Sequence, residues 1–289
     1  MTDANASRAS ATGAAFGPAW SAGLRRGTDA ELRDWLDAAL AWCDEADEIA
    51  SREFRRDIPT ERKPDGSFVT AADQAIERLI RDRIRSAFPD HGVVGEEYGE
   101  DDGAASTRWY IDPIDGTHNF MRGVPLFGTL LGLERDGELQ VGVISAPAMG
   151  ERWFAWRGGG AWNRGRAGER RLRVSRVAAI EDAQLIYGSR RESVESGLMP
   201  GFDALMSAAW RERGFGDFWG YALVAEGAAE GMLETGMHTW DLAAPQVLIE
   251  EAGGRVTDID GQRRIDAPSF VGSNGLIHDE ILRRLRARE

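Results

Sequence analysis

The stretch Trp109-Tyr110-Ile111-Asp112-Pro113-Ile114-Asp115-Gly116-Thr117-His118-Asn119-Phe120 decides how this chain is interpreted. Its first three residues are apolar or aromatic and lead directly into Asp112, as is typical of a short buried strand. Pro113 has no N–H to give to a sheet, so the pairing is expected to end there. Asp115-Gly116 is turn chemistry, and Thr117 follows where a new element would begin. Two carboxylates therefore lie three residues apart at the C-terminal end of a predicted strand.

This loop supplies groups for both a metal ion and a phosphate. Mg²⁺ takes oxygen ligands and is commonly held by one or two carboxylates together with phosphates of the substrate. Backbone N–H groups at the start of a helix favour an anion such as phosphate. By itself, however, Asp112-x-x-Asp115-Gly116 is about as consistent with a capped turn as with such a site. The other acidic residues of the chain decide between the two interpretations.

Two further acids lie in comparable places. Glu96 follows the short apolar strand at 93–94, and Asp241 precedes a predicted helix after Trp240. Each alone is more often a cap than a ligand. Together with Asp112 and Asp115 they supply what a two-metal site needs, in which two cations about 3.5–4 Å apart bind the attacking and leaving oxygens of a phosphate ester.

Other phosphate and metal chemistries fit the sequence poorly. It contains no P-loop, no Asp-x-Asp at the loop that begins with Asp112, no EF-hand and no Cys or His cluster for zinc. The four histidines are scattered, and a surface or structural role is expected for each.

Composition limits the class of protein. The 289 residues suffice for one large α/β domain or two smaller ones. A balance of 35 basic and 48 acidic residues gives −13, which argues against a nucleic-acid or anionic-membrane partner. The single Cys43 can form no internal disulfide, which fits a cytoplasmic protein. No apolar run approaches the ~20 residues of a membrane helix. Residues 1–28, rich in Ala, Ser, Gly and Thr, predict a disordered extension rather than a signal peptide.

Periodicity predicts a layered α/β fold with mixed sheets. A first helix opens at the capping box Thr28–Glu31 and ends in the region 55–57, and a second opens at Thr70. Further helices are predicted at 202–210 and 221–230, from Asp241 to a stop at 253–254, and at 278–286. Strands are predicted at 127–133, 139–145, 152–156, 185–188, 232–236, 255–257 and 270–272.

Four motifs in this order resemble the inositol monophosphatase superfamily. They are the run at 112–120, Gly95-Glu-Glu, Lys63-x-Asp-x-Ser-x-Val-Thr-x-Ala-Asp73 and Trp240-Asp-x-Ala-Ala. The resemblance covers about Leu32 to Leu285, and residues 119–125, 145–147, 216–227 and 272–280 are most similar to the histidinol-phosphatases of this fold. It implies a layered αβαβα sandwich and a homodimer. Residues 29–180 would form an N-terminal half with the main motif, and 181–289 a C-terminal half with Asp241.

The resemblance also implies the metal ligands. One Mg²⁺ is expected on Glu96, Asp112 and the carbonyl of Ile114. A second is expected on Asp112, Asp115 and Asp241, with Asp112 bridging, and two or three ions are expected per site.

The phosphate and the attacking water have their own expected residues. The backbone of Gly116 and the hydroxyl and backbone of Thr117 would bind the phosphate. Thr117, paired with Asp73, and Glu96 would orient and deprotonate the water. Lys63 would brace this network, unless it is a solvated surface lysine. Glu97 would support it, unless it is simply an exposed acid.

Substrate choice is the most open question. Asp217 and Glu234 fall where the family contacts the alcohol half of its substrates. Two carboxylates suit the ammonium and imidazole of histidinol, and equally the hydroxyls of an inositol. His118, where relatives often carry Lys or Thr, and the bulky pair Phe218-Trp219 depart from the inositol-selective pattern.

The expected activity is Mg²⁺-dependent hydrolysis of a small-molecule phosphate ester, with L-histidinol phosphate as the first candidate. The alternative substrates are inositol-1-phosphate or another sugar or nucleotide phosphate. An alternative of another class is a non-catalytic, metal-dependent protein that binds phosphorylated metabolites.

Overall fold

The computed structural model describes residues 26–57, 59–64, 66, 68–101 and 105–287. Residues 1–25 of the predicted extension, and Asp65 and Ser67 of the third motif, lie outside these ranges. The helices of the described residues are α1 Asp29–Glu53, α2 Ala71–Ala87, α3 Thr117–Met121, α4 Arg190–Glu195, α5 Phe202–Ala208, α6 Asp217–Glu226, α7 Thr239–Glu251 and α8 His278–Arg286. The strands are β1 Thr60–Arg62, β2 Phe68–Thr70, β3 Gly92–Gly95, β4 Gly99–Asp101, β5 Thr107–Asp115, β6 Gly128–Arg135, β7 Glu138–Ala146, β8 Glu151–Trp156, β9 Gly160–Gly165, β10 Gly168–Arg171, β11 Gln184–Tyr187, β12 Arg211–Arg213, β13 Gly231–Thr235, β14 Arg255–Thr257 and β15 Ser269–Ser273.

Two large sheets organise the molecule. The first has the order β10-β9-β8-β7-β6-β5-β3-β4 and is antiparallel except for the parallel pair β3–β5. The second has the order β12-β11-β13-β15-β14 and mixes parallel and antiparallel pairs. Helices α1 and α2 pack on one face of the first sheet, α6 and α7 lie between the sheets, and α5 and α8 cover the second sheet. The predicted αβαβα sandwich with mixed sheets is therefore confirmed.

Strand β5 is buried on both faces, and this sets the direction of its last side chains. Trp109 and Ile111 belong to the apolar cluster beneath α1 and α2, whereas Tyr110 belongs to the cluster on the side of α6 and α7. Because successive side chains of a strand point to opposite faces, Asp112 follows Tyr110 onto the side of α7. The strand therefore presents its first carboxylate to the helix that carries Asp241.

Helix α7 lies unusually close to the first sheet because glycines face alanines. A Cβ added to Gly132 would lie 2.4 Å from Ala243 Cβ, and one added to Gly142 would lie 2.6 Å from the carbonyl oxygen of Ala244. No side chain larger than hydrogen fits at either glycine without a shift of the helix. This close packing fixes the N-terminal turn of α7, and with it Asp241, against the sheet.

Several predicted boundaries were wrong, among them those of the helix predicted at 221–230, which spans Asp217–Glu226. Strand β5 continues past Pro113 to Asp115, because a register shift between Asp112 and Asp115 against β6 accommodates the residue that has no N–H. Helix α1 ends at Glu53 rather than in the region 55–57, because Arg55 has a positive φ of 60°. Asp241 does not precede α7 but is its third residue.

The strands predicted at 127–133, 139–145 and 152–156 correspond to β6, β7 and β8, and their antiparallel pairing extends through β9 to β10. The sequence analysis missed the strands β1, β4, β10 and β12, which are three or four residues long and mostly exposed. Before α1, the N–H of Gly27 donates to Gln140 Oε1 at 3.0 Å, so the last residues of the predicted extension contact the first sheet. Over the residues placed by the structure, no helix is both long and apolar enough to cross a bilayer.

We expect Gly142→Ala to lower the free energy of unfolding by about 1–3 kcal/mol, because the added methyl group forces α7 away from the sheet. Urea denaturation of both proteins measures this difference. Gly137→Asn is the control, since nothing lies within 4 Å of its added Cβ and Asn tolerates the φ of +81°. An unchanged stability of Gly142→Ala would contradict the close packing of α7.

Burial of His278 predicts a pH dependence of stability. Its ring nitrogens lie 2.9 Å from Thr257 Oγ1 and 2.8 Å from Ser273 Oγ, and burial, followed by the charge of Arg255, lowers its pKa from 6.5 to about 3. Because the pKa of His278 is lower in the folded protein than in the unfolded chain, its neutral ring contributes fully to the free energy of unfolding above pH 6.5. This contribution is progressively lost as the pH falls towards 3.

We therefore expect the unfolding free energy of wild type to fall more steeply between pH 6.5 and pH 4 than that of His278→Asn, by up to about 1.4 kcal/mol per pH unit. Denaturation at a series of pH values gives both slopes. Other titrating groups contribute to both proteins, so identical slopes would contradict a neutral buried histidine.

Candidate active site

The turn after β5 is built around Gly116. This residue has a φ of +80°, and a Cβ added to it would lie 2.9 Å from the carbonyl oxygen of Leu126 and 3.3 Å from Asp217 Oδ2. Only glycine combines the left-handed conformation with this close approach. The turn therefore leads from Asp115 into the short helix α3 at Thr117, with Asp217 beside it.

Thr117 and Asp73 meet across the turn, as predicted. Thr117 Oγ1 lies 3.0 Å from the carbonyl oxygen of Ile114 and 3.4 Å from Asp73 Oδ1, so its single proton can go to either acceptor. Asp73 is fully buried, and its Oδ2 accepts hydrogen bonds from the backbone N–H and hydroxyl of Thr70 in the capping box of α2. Burial, the largest cause, raises the pKa of Asp73 to about 6.

Lys63 joins the two glutamates that follow β3. Its Nζ donates to Glu96 Oε1 at 2.8 Å and to Glu97 Oε1 at 2.7 Å, and only 17% of its side chain is exposed. Burial disfavours the charged amine, but these hydrogen bonds outweigh it and raise the pKa of Lys63. Burial raises the pKa of Glu97 to about 7. The interpretations of Lys63 as a solvated lysine and of Glu97 as an exposed acid therefore do not hold in this structure.

Glu77 was missed by the sequence analysis, although it supports the loop that carries Glu96. Its carboxylate accepts from the backbone N–H groups of Glu97 and Tyr98 at 2.7 and 3.2 Å and pairs with Arg81 at 2.8 Å. A Cβ on Gly95 would lie 2.1 Å from Glu77 Oε1, so the glycine before Glu96 leaves room for this carboxylate. The signal was present, since Glu77 and Arg81 lie four residues apart beside the apolar face of α2.

Two helix starts hold the remaining acids. Asp115 Oδ2 accepts from the backbone N–H of Phe218 in the first turn of α6, at 2.5 Å. Asp241 Oδ2 accepts from the backbone N–H of His238 at 2.8 Å, with the ring Nδ1 of His238 at 3.7 Å. Carboxylates near helix N-termini are stabilised by the helix dipole, so both acids are fixed in place without a side-chain cation.

Asp217 and Glu234 lie together at the start of α6. Asp217 begins this helix with a φ of +50°, and its Oδ2 accepts from Asn119 Nδ2 at 3.1 Å. Burial raises the pKa of Asp217 to about 6, although the charge on His118 opposes the shift. Glu234 is buried within β13, accepts a hydrogen bond from the hydroxyl of Tyr221, and has its pKa raised to about 8 by burial.

The acids converge electrostatically on Asp112. Burial is the largest cause that raises its pKa well above the usual range, and the charges of Glu96, Asp115, Asp241 and Asp73 add to it. For Asp115 the causes are burial and then the charges of Asp217 and Asp241. Residues far apart in sequence therefore surround one strand end, where their mutual repulsion is strong because little water screens it.

This arrangement fits divalent cations. Asp112 Oδ1 is buried and has no hydrogen-bond partner, and an orphaned carboxylate oxygen among further acids is a position that a cation satisfies. Within the described ranges, no three Asp, Glu, His or Cys side chains already converge as ready ligands. Asp115 and Asp241 each turn one oxygen towards a backbone N–H.

The four histidines, all of them among the described residues, lie in separate parts of the structure and form no cluster. His278 is a buried structural residue, His91 accepts a hydrogen bond from Trp109 Nε1 at 3.1 Å, and His238 stacks on Trp240 at a centroid distance of 4.7 Å. The rings of His118 and Phe68 form a T-shaped contact, with their centroids 5.3 Å apart.

Comparison with known proteins gives the class. The model of the Inositol monophosphatase family matches residues 31–289. A histidinol-phosphatase of Mycobacterium tuberculosis is 44% identical over 256 residues, which cover 88% of this chain and 98% of that protein. One of Streptomyces coelicolor is 41% identical, covering 89% of this chain and 100% of that protein. Among solved structures, an IMPase of Thermotoga maritima has a TM-score of 0.78 and 32% identity, covering 87% of this chain and 96% of that one.

The chain therefore belongs to the inositol monophosphatase family, as its motifs indicated. It is a phosphoric monoester hydrolase, so the prediction of an enzyme of this class is confirmed. The family is metal-dependent, which agrees with the chemistry of the acids around Asp112.

We expect Asp112→Asn to abolish phosphate release without lowering the melting temperature of the metal-free protein. The substitution removes a central acid of the site and relieves the repulsion among its buried neighbours. Phosphate assays and thermal melts measure the two effects.

Asp47→Asn is the matched control, because Asp47 is an acid remote from the site with a buried Oδ1 that lacks a partner and an ion pair to Arg152 at 2.6 Å. It should lose stability and keep its turnover. Residual turnover near that of wild type in Asp112→Asn would exclude the acids around β5 as the reaction centre.

Proposed function

We propose that this chain releases phosphate from L-histidinol phosphate in a reaction that depends on Mg²⁺. The observation that carries the substrate is Asp217, whose carboxyl borders the Gly116 turn and is held by Asn119. A carboxylate beside the turn proposed to bind the phosphate suits the cationic alcohol half of histidinol. The names of the two bacterial histidinol-phosphatases, similar over nearly their whole length, support the same substrate.

Inositol-1-phosphate, or another sugar or nucleotide phosphate, is the second candidate. The likeness to the Thermotoga maritima IMPase favours it, and Asp217 would then accept hydrogen bonds from hydroxyl groups. The pair Phe218 and Trp219 does not decide between these substrates, since Phe218 is fully buried and Trp219 packs against Phe215 at a centroid distance of 4.7 Å.

The metal ligands follow from the acids at the end of β5. We assign one Mg²⁺ to Glu96, Asp112 and the carbonyl of Ile114, and a second to Asp112, Asp115 and Asp241, with two or three ions in total. When bound, such cations neutralise charge on the phosphoryl group and lower the pKa of water. The buried Asp112 Oδ1 without a partner supports Asp112 as a residue that would hold a cation.

The protein residues position the phosphate and move protons. The backbone of Gly116 and Thr117 binds the phosphoryl oxygens at the start of α3. Thr117 Oγ1 orients the attacking water, accepts a proton from it and passes its own proton to Asp73 Oδ1, while Glu96, braced by Lys63, is the second residue that can accept a proton from the water. Glu97 supports this network through the same lysine.

The homodimer, which rests on the family resemblance, and the cytoplasmic location, which rests on the single cysteine Cys43, are further proposals. The net charge of −13 supports the expectation that nucleic acid is not a partner. Light scattering of the full chain at several concentrations tests the dimer, and a mass of one chain throughout would exclude it.

The function is tested by measuring kcat/KM for histidinol phosphate, inositol-1-phosphate and phenyl phosphate, with Mg²⁺ present and after chelation. We expect histidinol phosphate to be preferred and all turnover to cease without metal. No preference for histidinol phosphate would overturn the substrate, and no turnover of any ester would favour a metabolite-binding protein without catalysis.

We expect Asp217→Asn to lower kcat/KM for histidinol phosphate by about 10–100-fold, the loss for one charged hydrogen bond, while phenyl phosphate changes little. Asn retains the size of the side chain and tolerates a positive φ. The control is Asp203→Asn, an exposed acid paired with Arg190 far from the turn. Equal losses for both esters would show that Asp217 does not contact the alcohol half.

A further inference from the structure

Helix α6 begins without a cap of its own. Its N-cap residue is Gly216, which has no side chain to accept from the first backbone N–H groups. Two carboxylates from elsewhere take over this role. Asp115 accepts from the N–H of Phe218, and the carboxyl of Glu234 interacts with the N–H of Asp217. The start of α6 therefore contacts Asp115, one of the acids around Asp112, and also Glu234 of the second sheet.

The residue at this helix start is in a strained conformation. Asp217 has a φ of +50°, which non-glycine residues adopt rarely and mainly where the surroundings impose it. Its side chain is fixed by Asn119, its N–H faces Glu234, and the next N–H is held by Asp115. The surroundings thus determine where its carboxyl points, which is at the Gly116 turn.

Glu234 is in turn held by a single buried hydroxyl. Tyr221, 1% exposed on α6, donates its O–H to Glu234 Oε2. On the opposite side Gly188 leaves no room for movement, since a Cβ added there would lie 2.0 Å from Glu234 Oε1. The glutamate is therefore confined between the tyrosine and the end of β11.

We propose that Tyr221 is a positioning residue for substrate recognition: by its hydrogen bond to Glu234 it fixes the start of α6 and thereby the carboxyl of Asp217 at the phosphate-binding turn. This inference rests on the proposed function, because it takes Asp217 as the group that contacts the alcohol half of the ester. It explains why a tyrosine hydroxyl and a glutamate are buried together one turn along from Asp217.

The experiment compares wild type, Tyr221→Phe, Asp217→Asn and the double variant on histidinol phosphate, inositol-1-phosphate and phenyl phosphate. For Tyr221→Phe we expect KM of the preferred ester to rise about three- to tenfold, while kcat and the constants for phenyl phosphate change little. Tyr221 acts through Asp217. In the Asp217→Asn background, the substitution Tyr221→Phe should therefore leave unchanged the ratio of kcat/KM for the preferred ester to kcat/KM for phenyl phosphate.

Two further variants distinguish positioning from general destabilisation. Tyr110→Phe removes another buried tyrosine hydroxyl, which donates to Glu134 at 3.1 Å, and should leave substrate preference unchanged. Gly188→Ala displaces Glu234 without altering the tyrosine and should reproduce the loss of preference seen in Tyr221→Phe.

Each outcome decides the inference. Equal losses for all esters, unchanged kinetics, or additive effects in the double variant would overturn the positioning role. If wild type prefers inositol-1-phosphate, the proposed substrate fails, while the role of Tyr221 is still decided by the ratio of the preferred ester to phenyl phosphate.

Discussion

The structure depends on the burial of several carboxylates around the end of one strand. Asp112 is almost completely enclosed, and the charges of Glu96, Asp115 and Asp241 raise its pKa further. Keeping several buried carboxylates ionised close together raises the electrostatic free energy, because little water screens their charges. Divalent cations bound among them lower this free energy most directly. The surrounding structure holds the acids apart from bulk water, so that the charge they carry is available to cations and a phosphate.

Helix starts are the means by which the fold holds these acids. Asp73 and Asp241 are each the third residue of a helix and accept from the backbone N–H of its N-cap residue, and Asp115 accepts from the first turn of α6. The same carboxylate can therefore cap a helix and also take part in the candidate site. A carboxylate that satisfies a helix N–H is rigid, and it retains a second oxygen for a ligand or a proton.

Much of this could be predicted from the chain itself. The run from Trp109 to Phe120 indicated a buried strand that ends in acids, and the capping box at Thr28 and the helix start at Thr70 are present as predicted. The register shift at Pro113 could not be predicted, because it depends on how β6 pairs with β5. The same holds for Glu77, whose role requires the loop after β3 to fold against α2.

The sequence by itself determined the family and most of the larger elements, and it indicated which acids are candidates for the site, because strand and helix periods, turn residues and motif spacing are local properties. Only the tertiary structure decided how the acids meet. Asp217 borders the Gly116 turn because Asn119 of α3 donates a hydrogen bond to it, and Asp241 reaches β5 because Gly132 and Gly142 let α7 approach the sheet. Contacts between residues a hundred positions apart arise from packing, which no local pattern of residues contains.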